Sequence, residues 1–577
     1  MKYLRRLAAS WPVAAILGGA AVASLGCQSI LGLHDVSLDP SGGGGAATTS
    51  SSGTGGEATG GAGGQSAASF AFAVKDATVN VPYEGLNYIN VEITPSGGFG
   101  DAVEVTVQGA PTGLVTKPLT VPAGSTTGRL EIGAEAALVL GTKLTLTLAA
   151  TSGSIVKTAS VPAVVTGKPG DLDVDFNGGL VAGPTYNGWA GLYDIQELVA
   201  GKIVVGGVRL GKLGGGDGLA GRFLANGTAD TSFNTTGVTT QAFCGCTKSQ
   251  GGILSVAREV DGTLLFAGWG NPGTINNVAH NDDIYLFRYR DSGVLDAIQS
   301  DTGIERIDLG GNEQVSAAKL VPKSTDMIVV GTRDSQLLVA KLHDRYASVD
   351  AAFAAPNGYV VPALGGTGSR GVALAIDPQG RIVVTGSVTT ASGDDLVLLR
   401  LTADGALDSS FGTGGFVIAA RPGDQHGSAV IVQPDGALVV AADTTEGSEP
   451  QLLVQRFLAS GDVDPSFGTK GAVLAPLGGG SHSIYNDHTA WMVQMLDGRL
   501  VVAGNGTLAG VAGPVFARFL PDGSPDPTFG TNGELAVYVG MYGALGAMSL
   551  ASDGKLLIAG TNSPNPPGAS FLARLWN

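Results

Sequence analysis

The residues able to do chemistry sit in a few short stretches. Ser481-His482-Ser483-Ile484-Tyr485-Asn486-Asp487-His488 brings two of the chain's six histidines and a carboxylate together, so a nucleophile, a base and an orienting acid are nominally present. Neither serine has the Gly-x-Ser-x-Gly setting that strains a nucleophile outward, and surface loops collect the same residue types for solubility. His482, Asp487 and His488 thus form a candidate functional loop set against a solvated, hydrogen-bonded one. Phe243-Cys244-Gly245-Cys246 offers two thiols. In an oxidising compartment Cys244 and Cys246 read as a local disulfide; two free thiols are the alternative, and a closed metal site would need further ligands that do not follow at ligand spacing. Asp171, Asp173, Asp175 and Asn177 mimic the start of a calcium loop, but Phe176 stands where that loop needs glycine and the closing glutamate is missing. Glycine phrases such as Phe411-Gly412-Thr413-Gly414-Gly415 precede a strand pattern, so no helix amino terminus stands ready for a phosphate. No constellation reaches the specificity of an enzyme signature, and none calls for a cofactor or a metal.

Charge narrows the partners. Asp and Glu number 49 against 33 Lys and Arg, a formal net charge of −16, in a chain with 14% charged and 44% apolar residues. Such a surface lacks the excess cation that neutralises phosphates, which argues against nucleic acid and against peripheral binding to anionic lipid. Ninety-two glycines among 577 residues fit a β-rich chain with many tight turns, long enough to invite a search for repeats.

The amino terminus reads as an address. Lys2, Arg5 and Arg6 precede an apolar stretch from Trp11 to Gly26 that is short for a bilayer span. Ser24-Leu25-Gly26-Cys27 resembles the lipobox of bacterial lipoproteins, with Ser24 where that family prefers Leu, Val or Ile. The resemblance implies that residues 1–27 are a lipoprotein-type signal segment, cleaved so that Cys27 becomes the new amino terminus and is lipidated. An ordinary signal peptide and a retained anchor are the alternatives, and all three place the remainder outside the cytoplasm, in the cell envelope. Residues 28–69, nearly all Gly, Ser, Ala and Thr from Ser41 onward, have too little apolar surface to offset the entropy of ordering and read as a flexible tether. About 28 such residues reach roughly 30 Å.

Residues 70–167 carry half-buried strand patterns, as in Val103-Glu104-Val105-Thr106-Val107 and Leu144-Thr145-Leu146-Thr147-Leu148. Pro and Gly punctuation divides them into seven or eight strands, the rhythm of an Ig-like β-sandwich. The stretches QGAPTGL, VPAGSTTGRL and LTLAATSG also resemble bacterial extracellular Ig-like domains, which are mostly spacers or binding units.

From residue 171 to 577 one phrase recurs: LDSSFGTGG at Leu407, VDPSFGTKG at Val463, PDPTFGTNG at Pro525 and ADTSFNTTG at Ala229, with fainter copies at Leu172, Leu295 and Val349. Its aspartates, Asp173, Asp230, Asp296, Asp350, Asp408, Asp464 and Asp526, lie 57, 66, 54, 58, 56 and 62 residues apart. Each unit adds a turn before a β-branched run, as in Asp435-Gly436 and Asp497-Gly498, and an apolar strand ending in a cation: Arg222, Arg288, Lys341, Arg400, Arg456, Arg518 or Arg574. In the fifth unit strands fall near 416–420, 428–433, 437–441 and 452–457. Four strands per unit and seven units predict an all-β seven-bladed β-propeller of four-stranded blades behind the sandwich. The final strand, 571–575, is expected to be the fourth of the last blade. Each aspartate should neutralise a repeat cation, and Arg574, with no aspartate downstream, should close onto Asp173.

Leu-Asp-x-x-Phe-Gly-x-x-Gly with Asp-Gly hairpins and an apolar-Arg strand resembles the delta-60 repeat family of bacterial β-propeller proteins. Units at Asp296 and Asp350 depart from it at Gln299, Ser300 and Ala354. That family has no established shared activity, so the resemblance implies a fold and leaves the function open. The expectation is a non-enzymatic, membrane-anchored binding or scaffold protein whose propeller face engages a protein or glycan. The rival is an extracellular hydrolase or lyase with its site at the propeller mouth.

Overall fold

The computed structural model describes residues 67–83, 85–135, 137–185, 189–210, 216–242, 250–259, 261–271, 274–275, 278–279, 281–297, 303–343, 348–447, 450–476, 490–540, 543–562 and 569–577. They are all-β apart from a single 3-10 turn at Val199–Gly201. Two compact units result, one ending at Lys168 and one running from Pro169 to Asn577.

The first unit has two sheets. One orders Ser69–Val74, Asn87–Ser96, Thr127–Ala134 and Leu114–Thr116; the other orders Val79–Pro82, Ile155–Thr166, Lys143–Ser152, Val103–Gln108 and Leu119–Val121. Alternation decides which side chains face inward: Val103 and Val105 are buried while Glu104 is exposed. The inward set, including Phe70, Val81, Ile89, Val105, Leu130, Leu148 and Val161, forms one core shared by both sheets.

The second unit is a β-propeller. A typical sheet runs Trp189–Glu197, Ile203–Leu210, Gly216–Phe223 and Val238–Ala242, antiparallel throughout. First strands neighbour one another in a ring: Trp189–Glu197, Gln250–Arg258, Glu313–Leu320, Gly368–Ile376, Gln425–Val432, Trp491–Gln494 and Ala544–Leu550, which returns to Trp189–Glu197. Six of these strands carry a β-bulge at the same register, for example between Leu192 and Asp194 and between Gly427 and Ala429. The bulged residues Tyr193, Leu254 and Val372 join Val208 and Trp269 in one buried apolar cluster on the axis side. Neighbouring sheets are also tied by polar bonds, Val256 N donating to Asp194 Oδ2 at 2.7 Å and Ser255 Oγ donating to Ala318 O at 2.8 Å.

Strand positions follow the repeat, but the sheets are out of phase with it by one strand. Phe416–Ala419, which begins the fifth repeat, is the outer strand of the sheet before, and the sheet of Gln425–Val432 is completed by Ala472–Pro476 from the next repeat. The same offset corrects the expected closure. Ala569–Leu575 is the third strand of its sheet, and the fourth is Leu180–Thr185 from the start of the unit, paired Leu180 to Ala573 and Val181 to Leu572. Sharing a sheet between the two ends pairs Ala569–Leu575 on both sides and leaves Leu180–Thr185 as the outer strand, the place the fourth strand takes in the other sheets.

Candidate functional site

Each four-stranded sheet has two ends. At one, first strands finish and third strands deliver the repeat cation; this is the girdle face. At the other, first strands begin; this is the upper face.

On the girdle face the repeat explains itself. Arg400, on a strand end, donates from Nε to Asp408 Oδ2 at 2.7 Å, from Nη2 to Ser410 Oγ at 3.0 Å, and from Nη1 to Ala459 O of the next sheet at 2.6 Å. Its guanidinium lies 4.5 Å from the Phe411 ring centroid, a cation–π contact. Asp408 Oδ1 accepts from the Ser410 hydroxyl and amide, and these bonds, with Arg400, hold its carboxyl below the usual range against a modest push from burial. Gly412 N donates to Ser460 O of the next sheet at 2.7 Å; its φ is +53°, and an added Cβ would stand 2.4 Å from Phe416 O, which is why the phrase needs glycine. Arg222, Arg456 and Arg518 repeat the Nε bond to Asp230, Asp464 and Asp526 at 2.7–2.8 Å. Arg574 closes onto Asp173 at 2.6 Å, reaches Ala225 O at 3.0 Å and covers Phe176, so the calcium-like stretch is one more repeat turn. Arg288 meets Asp296 at 3.2 Å and Lys341 meets Asp350 at 2.9 Å. The seven cations are engaged in these pairs, as the constant spacing implies.

A second cation often joins. The residue just before the second strand is Lys202, Arg381, Arg499 or Lys555 in four sheets, each near the same aspartate as the repeat arginine. In the sheet of Lys341 that position is Asp326. There Asp326 Oδ1 lies 2.9 Å from His343 Nδ1, Lys341 Nζ lies 3.2 Å from Asp326 and 2.9 Å from Asp350, and His343 Nε2 is 3.6 Å from Asp350.

The upper face is not repetitive. Two residues before the bulge, successive first strands carry Gly191, Gly252, Gln314, Arg370 and His426, and Ala544 in the closing sheet, so among these six described sheets three consecutive ones bear long polar side chains where the other three bear small residues. Gln314 Nε2 donates to Asp282 Oδ2 at 2.7 Å, and His426 Nε2 lies 3.1 Å from Asp394; Asp282 and Asp394 occupy matching positions in the preceding sheets. His426 Nδ1 is also 3.0 Å from Asp443 Oδ2. Burial pulls this imidazole down, but the bonds to Asp443 and Asp394 outweigh it and hold His426 above its ordinary value. Beside Gln314, one oxygen each of Asp283, Asp308 and Glu313 fall within 4.8 Å of one another. Arg306 Nε pairs with Asp283 at 2.6 Å and Nη2 with Asp308 at 3.2 Å, while Arg333 Nε stands 3.4 Å from Glu313. Burial first, then the neighbouring acids, raise the Glu313 carboxyl. Burial also pushes the Asp194 carboxyl up to about 7 despite its two backbone bonds.

Cys27, Cys244, Cys246, His482, Asp487 and His488 lie outside the described residues. Sequence reading passed over His426, Asp394, Asp443, Gln314 and Arg370, although aligning the first strands exposes Gln314, Arg370 and His426 as departures from Gly and Ala.

A family model described as a domain of unknown function (DUF5122) beta-propeller matches residues 378–411, 433–467 and 496–529. No curated protein matches the chain. Among solved structures, a quinonprotein alcohol dehydrogenase-like protein from Bacteroides thetaiotaomicron is similar at 10% identity over 84% of this chain and 88% of that one, with a TM-score of 0.28. A GH43 beta-xylosidase/alpha-arabinofuranosidase from a compost microbial metagenome is similar at 12% identity over 55% and 89%, with a TM-score of 0.24. A GH43_1 enzyme from Xanthomonas citri is similar at 13% identity over 56% and 86%, again with a TM-score of 0.24. These structural likenesses carry no argument about activity.

Proposed function

We propose that, on the β-propeller as its body, this chain is a non-enzymatic binding or scaffold protein of the cell envelope that engages a protein or glycan through the upper face. In this reading the propeller has seven blades, in keeping with seven sheets whose first strands form a ring. The unit before it is an Ig-like spacer, in keeping with the parallel pairing of Val79–Pro82 on the last strand of its sheet. Cys27 carries the lipid and residues 28–69 the tether.

The observation that carries the binding reading is the polar arc of Gln314, Arg370 and His426. A role common to every blade cannot account for long hydrogen-bonding side chains on three consecutive sheets when Gly191, Gly252 and Ala544 hold that position in the other three described ones. Against the hydrolase reading, the acids Asp394 and Asp443 are committed to His426, and Asp283 and Asp308 to Arg306.

Glycan arrays and surface plasmon resonance against purified envelope components test this. Binding should be lost in Arg370→Ala and kept in Asp408→Ala. Loss in Asp408→Ala alone, or cleavage of a polysaccharide by the wild type, would overturn it. Mass spectrometry of the mature protein should find acyl chains on an amino-terminal Cys27; an unmodified Cys27 would refute the anchor.

A further inference from the structure

We infer that Asp326, His343 and Asp350, on the girdle face, form a binding site for a divalent transition-metal ion of the zinc class. This stands apart from the upper-face reading. Its basis is one sheet in which an acid stands where four others carry a second cation.

In the sheets of Asp173, Asp230 and Asp526, a single carboxylate faces two cations: Arg574 with Lys555, Arg222 with Lys202, and Arg518 with Arg499. A further acid lies beside one cation of each, Asp553 by Lys555, Asp291 by Arg222 and Asp497 by Arg499, so the charges balance. In the sheet of Lys341 the position of Lys202, Arg499 and Lys555 is held by Asp326, so two carboxylates face one ammonium. Carboxylates there outnumber cations. The position two residues past the cation is Leu224, Leu458 or Leu520 in three sheets and Arg290, Thr402 or Trp576 in three more, and here it is His343. Two substitutions at separate places in the chain therefore bring an extra carboxylate and an imidazole to the same point. Neither is needed to anchor Asp350, which Lys341 already does at 2.9 Å.

The donor set suits a metal. One oxygen from each carboxylate and one imidazole nitrogen lie within 4.8 Å of one another, and all three residues are partly exposed, so an ion can enter from solvent. Nitrogen and carboxylate ligands bind zinc at roughly 2.0–2.2 Å in tetrahedral geometry, and three protein ligands leave a fourth position for water. Aspartate carboxylates are ionised at neutral pH, so both are ready ligands. Lys341 is the cation that the metal displaces, and its long side chain can swing to solvent without moving the backbone.

The test uses the full chain, stripped with chelator and titrated with Zn2+ by calorimetry, with the absorption spectrum of bound Co2+ as a second readout. One ion should bind per chain, with Co2+ bands of nitrogen and oxygen ligation. His343→Ala should weaken this by more than roughly tenfold. Asp326→Lys restores the cation found at Lys202 and Lys555, so the protein should fold with an unchanged or higher melting temperature and lose the site. Absence of binding to the wild type would overturn the inference, and so would binding that survives unchanged in both variants.

Discussion

The two faces of the propeller are built from the same four strands but obey different rules. On the girdle face the same contact recurs: a cation at a strand end, an aspartate eight or nine residues on in six sheets and Asp173 for Arg574 in the closing one, and in most sheets a phenylalanine under the guanidinium. Similar arrangements at Arg222, Arg400, Arg456, Arg518 and Arg574 mean that what is seen there is what a blade needs to hold the next one. On the upper face neighbouring sheets differ, Gly252 giving way to Gln314 and then Arg370 and His426. The repeated contacts thus gather on one face and the departures from the repeat mostly on the other. Function is to be sought where the repeat is broken, and Asp326 with His343 is a break on the otherwise structural face.

The largest effect should come from the closing sheet. Deleting Ala569–Asn577 removes the strand that joins Leu556–Thr561 to Leu180–Thr185, and with it Arg574. Two strand edges are then exposed and Asp173 loses a partner, so calorimetry should find no cooperative transition and light scattering should find aggregation. A truncated chain that melts like its parent would mean that closure is dispensable.

Next in size is Asp173→Ala. Asp173 is fully buried and faces both Arg574 and Lys555, so its loss leaves two cations opposed at the seam, a cost of about 3 kcal/mol by denaturant unfolding. Asp408→Ala, at an interior sheet with Arg400 as its nearest cation, should cost less, about 1–3 kcal/mol, and leave upper-face binding intact. If the two variants prove equal, the seam is no more demanding than any other blade contact.

Much of this comparison was legible in the sequence, because spacing encodes the girdle. The Asp and Arg register, the closure of Arg574 onto Asp173 and the strands near 416–457 follow from residue types alone. The sheet phase did not, since a repeat read along a chain has no marked beginning; only pairing of Leu180 with Ala573 reveals where the ring is cut. The upper-face arc was hidden for another reason. His426 and Asp394 are 32 residues apart and meet across two sheets, and a lone histidine in Gln425-His426-Gly427 shows no ligand or catalytic spacing.

The smallest expected effect is one of pH, and its sign differs between the faces. The Asp408 and Asp464 carboxyls lie below 3.8 when folded, so the stability they add is full above about pH 4 and is lost as pH falls through the folded values. His426 lies above 6.5 when folded, so its contribution is full below about that pH and is lost as pH rises through the folded value. Its surroundings fit that sign: Asp443, nearly buried, and Asp394 take one ring nitrogen each, and both favour the imidazolium. Acid should therefore loosen the girdle while mild alkali loosens the joint at His426. Urea midpoints measured from pH 3 to 9 should fall at both ends, and His426→Gln, which keeps a hydrogen-bonding side chain but cannot titrate, should flatten the alkaline limb alone. Ring-proton NMR of His426 gives the direct measure, and a midpoint for that ring below its ordinary value would break the contrast between the two faces.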